Sequence, residues 1–202
     1  GPAGLRLTKT YYAKDGEQQL LPIEANIENG YLYRGGADME GEPYYQYCTA
    51  FPTGTQLAQS WDLKLLETVG AAVAEELREF GVTLWLAPGM NIHRNPLCGR
   101  NFEYYSEDPL LSGRLAGAMT KGVQAQGGVG TTIKHFACNN QEDNRMASDS
   151  VISERALREI YLKGFAYAVT EQQPLAIMTS YNLINGVHAA NSYDLCTKIA
   201  RD

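Results

Sequence analysis

Apolar and polar positions along most of the chain follow, in turn, the spacing of amphipathic helices and that of buried strands. Apolar residues recur at helical spacing between Asp62, a predicted N-cap, and Gly81, and residues 82–88 follow as an apolar strand. A second helix is predicted to begin at the cap Ser106 and to carry an apolar face as far as Val123. The same pattern predicts a strand at 129–136, a helix capped by Ser153, a strand at 175–182 and a helix from Ser192.

A short strand is also predicted at 48–52, so strands and helices alternate along the chain. Such alternation is typical of a parallel sheet, either in a barrel or in a doubly wound layer. The polar loops follow the strands, which is typical of the functional face of a barrel. A complete barrel takes about 250 residues. We therefore predict an α/β fold, in which the chain forms part of a TIM-type (β/α)8 barrel with parallel strands alternating with helices.

Residues 8–46 show neither of the two periods and are rich in glycine and tyrosine. We interpret them as a long irregular insertion in the barrel domain, since structureless segments of this length are usually functional. Their aromatic rings suit either packing or stacking on a ligand at a rim of the site.

Composition limits the function further. The net charge is −6 and the sequence pI about 5.1, which argues against nucleic acid or an anionic membrane as a partner. The cysteines form no closely spaced pair, so we expect neither structural zinc nor a disulfide framework. We also expect no cofactor. Reduced thiols slightly favour a cytoplasmic compartment. The chain begins without Met, and we expect it to be a piece of a longer protein.

Cationic and hydrogen-bonding side chains stand at the ends of the predicted strands. They are Arg6, Arg100, Lys134 with His135, and Tyr181 with Asn182. Because the carboxyl ends of parallel strands meet at one face, we expect these groups to surround one site that suits a polyhydroxylated or anionic ligand. The glycines at 127, 128 and 130 precede their strand, whereas a phosphate-binding loop follows its strand, so a phosphate loop is not predicted.

Four segments carry distinctive motifs: GPAGLR at 1–6, the run 87–109 ending in GRNFEYYSEDP, IKHFACNNQE at 133–142 and TSYNLING at 179–186. Together they closely resemble glycoside hydrolase family 3, in particular its β-glucosidases. The resemblance covers nearly the whole chain except 8–46. It implies a retaining, exo-acting hydrolysis of terminal β-D-glucosyl residues, with a β-glucoside or oligosaccharide as substrate.

The resemblance also implies that both catalytic residues lie outside this chain. The nucleophilic Asp is expected on a strand beyond Asp202, and the acid/base Glu on a second domain. The fragment alone is therefore expected to be inactive, and its partners would be the remainder of its own barrel and that domain. The alternatives are a β-xylosidase or another exo-glycosidase of the family, or a non-catalytic sugar-binding barrel or pseudoenzyme.

Matched residue by residue, five positions resemble the family's substrate-binding residues: Arg6, Arg100, Lys134, His135 and Tyr181. The resemblance further implies a cis peptide bond between Lys134 and His135, because successive strand residues otherwise point to opposite faces. Among the acids, Glu103 is predicted to partner an arginine, and Glu142 to form a hydrogen bond in its loop or to pair with Arg145.

Overall fold

The structure is a computed structural model that describes residues 3–6, 8–15, 17–20 and 41–201. The strands are β1 (Thr8–Lys14), β2 (Glu17–Leu20), β3 (Glu42–Tyr47), β4 (Leu84–Trp85), β5 (Gly130–Phe136), β6 (Asp149–Ser150), β7 (Ala176–Thr179), β8 (Leu183–Ile184) and β9 (Val187–His188). The α-helices are α1 (Gly54–Ala58), α2 (Leu63–Glu79), α3 (Pro109–Gln124), α4 (Glu154–Ala156) and α5 (Lys163–Gln172).

A parallel sheet in the order β4-β5-β7 forms the centre of the fold. The register pairs Leu84 with Gly130 and Ile133 with Ile177. Beyond β4, the predicted strand 82–88 continues beside β5, since Thr132 N–H donates to the Ala87 carbonyl at 3.1 Å. All residues of β5 are buried, as expected of a strand covered on both faces. This arrangement confirms the predicted parallel α/β fold.

Helices α2, α3 and α5 form one layer, with α3 between the other two. Two glycines of α3 allow close approach. A Cβ atom at Gly122 would collide with the backbone of Glu67 in α2, and one at Gly113 would lie 2.8 Å from the Gly164 carbonyl oxygen in α5. The helices therefore meet backbone to backbone along both contact lines.

The helix caps confirm two predictions and correct a third. Asp62 caps α2 by accepting from Lys64 N–H and Leu65 N–H, and Ser153 caps α4. The cap of α3 is Asp108, and not Ser106 as predicted. The hydroxyl of Ser106 instead accepts from the Asp108 backbone N–H at 3.0 Å, so the serine stabilises the turn that leads into the cap residue.

Two other predictions differ from the structure. Residues 48–53 form no strand, because the chain leaves β3 there and Thr53 caps α1, accepting from Gln56 N–H at 3.2 Å. The insertion 8–46 is not irregular throughout: β1 pairs with β2 and β3 in an antiparallel sheet, with Thr8 opposite Tyr47. Residues 21–40 of that prediction lie outside the described residues.

The helices predicted to follow Ser153 and Ser192 are present, but each contains a π-helical segment, at Leu157–Tyr161 and at Asp194–Ile199. Among the helices in the described ranges, none combines the length and the apolar character needed to cross a bilayer.

Candidate functional site

A cavity of about 970 Å³ opens at the carboxyl ends of the parallel strands. The five residues predicted to bind substrate all line it: Arg6, Arg100, Lys134, His135 and Tyr181. Lys134 and His135 come from the end of β5 and are buried, whereas Tyr181 follows β7 and is 55% exposed. The structure therefore brings together all five residues, which lie far apart in the sequence.

The peptide bond between Lys134 and His135 is cis, as predicted. Both residues line the cavity, and the pairing register between β5 and β7 shifts between Lys134 and Phe136.

Charge surrounds Lys134. The Glu103 carboxylate contacts the Arg100 guanidinium through Oε1 and the Lys134 ammonium through Oε2, the second at 3.2 Å. The predicted pairing of Glu103 with an arginine is confirmed, and the contact with Lys134 extends it. We call Arg100, Glu103 and Lys134 the Glu103 cluster.

Burial and charge oppose one another in this cluster. Burial lowers the pKa of Lys134, and the nearby Arg100 adds to that effect while Glu103 opposes it. For Arg100, burial also acts to lower the pKa, but the hydrogen bond and the charge of Glu103 outweigh it, so its pKa is raised. One carboxylate thus offsets two partly buried cations.

Neutral groups surround His135. Its Nδ1 atom lies 3.0 Å from the Tyr104 hydroxyl, which accepts a hydrogen bond from the Asn139 amide at 2.8 Å. Asn91 holds the backbone of the same residue, accepting from His135 N–H at 2.8 Å and donating to the His135 carbonyl at 2.9 Å. We call Asn91, Tyr104, His135 and Asn139 the His135 network.

Burial dominates the titration of this network. It lowers the pKa of His135 to about 2, and the charges of Arg100, Lys134 and Arg145 act in the same direction. Burial also raises the pKa of Tyr104 well above its usual value. Both side chains are therefore neutral at ordinary pH.

Glu142 links the His135 network to the rim of the cavity. Its Oε1 accepts from the Asn139 amide at 2.9 Å, and its Oε2 accepts from Arg145 at 2.9 Å, as predicted for a loop acid. The guanidinium of Arg145 lies over the Tyr181 ring, 5.0 Å from its centre.

Arg145 also lines the cavity, although the sequence reasoning did not select it as a site residue. Its position directly after the polar run 139–144 was the available signal. Tyr104 and Asn139 were missed as well, because the hydrogen bonds of Tyr104 to His135 and to Asn139 span 31 and 35 residues of the chain.

The other histidines and the cysteines do not line the cavity. His93 Nε2 lies 2.9 Å from the Asn101 carbonyl and His188 Nδ1 lies 3.1 Å from the Tyr181 carbonyl, so each ring contacts a backbone carbonyl. The cysteines, all four of which the structure describes, form no disulfide.

The cavity is rich in hydrogen-bond donors and poor in carboxylates. Among the described residues that line it, Glu103 is the only acid, and both its oxygens contact cations. A retaining glycosidase needs two carboxylates on either side of the scissile bond. The described residues that line the cavity therefore include groups that can bind a polyhydroxylated ligand, but not two such carboxylates.

Comparison with known proteins places the chain in a family. The family model described as the glycosyl hydrolase family 3 N terminal domain matches residues 35–202. β-Glucosidase A of Butyrivibrio fibrisolvens is 53% identical over 154 residues, which is 76% of this chain and 18% of that protein. An exo-α-(1→6)-L-arabinopyranosidase of Bifidobacterium breve is 52% identical over the same length, 20% of its own chain.

Solved structures agree. β-Glucosidase 3B of Thermotoga neapolitana, in complex with α-D-glucose, superposes with a TM-score of 0.77 at 49% identity, covering 100% of this chain and 24% of its own. The β-glucosidase of Kluyveromyces marxianus in complex with glucose gives a TM-score of 0.74 at 47% identity, covering 76% of this chain and 18% of its own. The present chain spans about a fifth of the length of the curated relatives that it matches. The strand order, the strand-end cavity and these matches establish that the chain belongs to glycoside hydrolase family 3 and is part of that family's barrel domain.

Proposed function

We propose that the protein to which this chain belongs is a retaining, exo-acting β-glucosidase that removes terminal β-D-glucosyl residues. The observation that carries the proposal is the convergence of Arg6, Arg100, Lys134, His135 and Tyr181 on one cavity. Relatives about 50% identical to the chain are named β-glucosidases, which supports the same sugar.

The five residues form the substrate-binding set in this proposal. Arg100 and Lys134 donate charge-assisted hydrogen bonds to sugar hydroxyl oxygens, and His135 adds a neutral donor from the same wall. Tyr181 and Arg6 complete the set, and both are exposed residues of the cavity lining.

The catalytic carboxylates come from parts of the protein outside this chain. Four cationic side chains line the cavity, namely Arg6, Arg100, Lys134 and Arg145, against the single carboxylate of Glu103 among the described lining residues. Such an excess of positive charge stabilises an ionised carboxylate nucleophile placed beside it. The acid/base group is a Glu of a second domain, and residues 1–202 alone are inactive.

The test compares the full-length protein with the isolated chain on an aryl β-D-glucoside. The full-length protein is expected to release the aglycone and to form the β-anomer of glucose first, which NMR of the early product detects. The isolated chain is expected to give no turnover above background. An α-anomer as first product, or turnover by residues 1–202, would contradict the proposal.

A matched pair of variants in the full-length protein tests the site. Lys134→Met removes a buried cation of the cavity, and kcat/KM is expected to fall by about 100-fold or more, as for other transition-state hydrogen bonds to charged groups. Lys121→Met removes an exposed lysine of α3 that pairs with Glu67 at 2.8 Å, and it is expected to leave kcat/KM nearly unchanged.

One comparison favours a second candidate sugar. A relative at 52% identity is named an exo-α-(1→6)-L-arabinopyranosidase, so this barrel domain is compatible with more than one terminal sugar. Parallel assays on aryl β-D-glucoside, β-D-xyloside and α-L-arabinopyranoside separate these activities. Sugar binding without turnover of any of the three would favour a binding barrel or pseudoenzyme.

A further inference from the structure

The orientation of the two asparagines in the His135 network follows from their partners. The backbone N–H of His135 can only donate, so the atom of Asn91 that faces it at 2.8 Å is the oxygen. The ionised carboxylate of Glu142 can only accept, so the atom of Asn139 that faces it at 2.9 Å is the amide nitrogen. The same nitrogen lies 2.8 Å from the Tyr104 oxygen, and Asn139 is therefore a donor to Tyr104.

Tyr104 then has one place for its own proton. Its side chain is fully buried, and within the described residues the only acceptor near its hydroxyl is Nδ1 of His135, at 3.0 Å. A buried hydroxyl proton without an acceptor costs more free energy than an ordinary hydrogen bond gains. The hydroxyl of Tyr104 therefore donates to Nδ1.

This direction fixes the tautomer of His135. A neutral imidazole carries one proton, and if Nδ1 accepts, the proton is on Nε2. The alternative, an Nδ1–H that donates to the Asn91 oxygen at 3.3 Å, would be a longer bond and would leave the Tyr104 proton without an acceptor. A second proton on the ring is opposed by burial and by the neighbouring cations. The Nε2 atom has no partner among the described residues, and His135 lines the cavity.

We propose that Tyr104, oriented by Asn139 and Glu142, is a positioning residue that holds His135 as the neutral Nε2–H tautomer, so that the ring donates a hydrogen bond to a sugar oxygen in the cavity. The identity of the ligand as a sugar rests on the proposed function, whereas the tautomer does not. The relay runs from Glu142 through Asn139 and Tyr104 to the ring, and no member of it other than His135 need touch the substrate.

The first measurement is the tautomer itself, in the full-length protein labelled with ¹⁵N only in histidine. The His135 ring signals are assigned by their loss in His135→Gln. The expected spectrum at neutral pH shows a protonated Nε2 and an unprotonated Nδ1. A protonated Nδ1, or protons on both nitrogens, would overturn the proposal, and this measurement needs no substrate.

The second measurement asks whether Tyr104 acts through His135. Tyr104→Phe removes the donor, so the proton of the ring is expected to move to Nδ1, where Asn91 accepts it, and kcat/KM for the aryl β-glucoside is expected to fall by about tenfold. In a variant that also carries His135→Gln, kcat/KM is expected to be no lower than with His135→Gln alone, because residues that act as a unit are not additive.

Losses that multiply in the double variant, or an unchanged tautomer in Tyr104→Phe, would contradict the positioning role. Tyr161→Phe is the matched control, since the Tyr161 hydroxyl contacts Arg94 at 3.5 Å outside the cavity, and it is expected to alter neither the tautomer nor kcat/KM. If the full-length protein hydrolyses no glycoside, the proposed function fails, while the ¹⁵N spectrum still decides the role of Tyr104.

Discussion

The Glu103 cluster and the His135 network lie side by side in the cavity wall and hold successive residues of β5 by different forces. Lys134 is held by opposite charge, with one carboxylate between it and Arg100. His135 is held by neutral groups, whose donors and acceptors match one by one. Charge keeps Lys134 near its partner but allows several geometries, whereas the neutral network specifies which ring nitrogen carries the proton. The wall thus presents both a strong cation and an oriented neutral donor.

The largest effect is expected where charge is removed from the Glu103 cluster. Glu103→Gln leaves Arg100 and the buried Lys134 without their shared carboxylate, and we expect a loss of about 3 kcal/mol in the free energy of unfolding, as for other broken buried pairs. We also expect kcat/KM to fall by about 100-fold, since both cations lose their positions. Thermal unfolding and steady-state kinetics of the full-length protein measure the two effects.

Glu107→Gln is the control for this variant. Glu107 is exposed and does not line the cavity, so the same change of charge is expected to alter neither quantity by much. Equal effects from the two substitutions would mean that overall charge, and not the Glu103 cluster, determines stability. The ¹⁵N signals of His135 in Glu103→Gln sharpen the comparison, because the neutral network is expected to keep its tautomer.

A smaller effect is expected from a methyl group placed between the two regions. A Cβ at Gly89 would lie 2.9 Å from ring carbons of Tyr104 and 3.2 Å from Glu103 Oε2. Gly89→Ala is therefore expected to displace both regions at once and to cost about 2 kcal/mol in the free energy of unfolding, as overpacking does elsewhere.

Gly99→Ala provides the matched control, because its Cβ would lie 3.9 Å from the side chain of Glu142, an ordinary contact. Thermal midpoints of the two full-length variants give the measurement. A Gly89→Ala protein as stable as Gly99→Ala would show that Tyr104 and Glu103 can move to accommodate the methyl group.

The smallest effect near neutral pH is expected from the proton that His135 binds in the unfolded state but not in the folded state. The pKa of His135 is lowered to about 2 in the folded protein, whereas the unfolded chain has the ordinary value of about 6.5. Between these values the unfolded state binds one more proton, so stability increases with pH and is lost as the pH falls below about 6.5, by up to about 1.4 kcal/mol per pH unit. Calorimetry of unfolding near pH 5, in buffers of different ionisation enthalpy, counts the protons taken up.

His135→Gln is expected to take up about one proton fewer than the parent at that pH. Lys134→Met separates the two regions, since the pKa of Lys134 is also lowered and its proton difference begins just below the ordinary value of 10.5, well above the ordinary value for His135. An unchanged proton count in His135→Gln would contradict the neutral state of the ring.

Local patterns in the sequence predicted the helices and the buried strand well. The spacing of apolar residues after Asp62 reflects a helix buried on one face, and the β-branched run in β5 reflects a strand buried on both faces. Both patterns can be read directly from the sequence. The five cavity residues were indicated both by their places at the ends of predicted strands and by the family motifs, whereas the cis bond came from the resemblance alone. A strand was wrongly predicted at 48–52 because its apolar residues resemble a strand, whereas Pro52 and the cap Thr53 lead into α1.

The sequence did not predict which residues pair when they lie far apart in the chain. The ladder between β1 and β3 joins Thr8 to Tyr47, and no local period marks it. The His135 network joins residues 44 positions apart, Asn91 and His135, through side chains that are common in loops. Hydrogen-bond partners of this kind are set by the fold, so Tyr104 is indistinguishable in the sequence from the neighbouring Tyr105.

The contact of α3 with its neighbours has a consequence for redesign of this barrel. At Gly122 and Gly113 the helices touch through their main chains, so no layer of side chains separates them there. Substitutions that tune an ordinary interface by enlarging or trimming a side chain have no counterpart at these points. Substitution therefore cannot easily change the distances between these helices. Directed evolution of the cavity is expected to proceed through the loops after the strands, while the helix layer tolerates change only on its outward face.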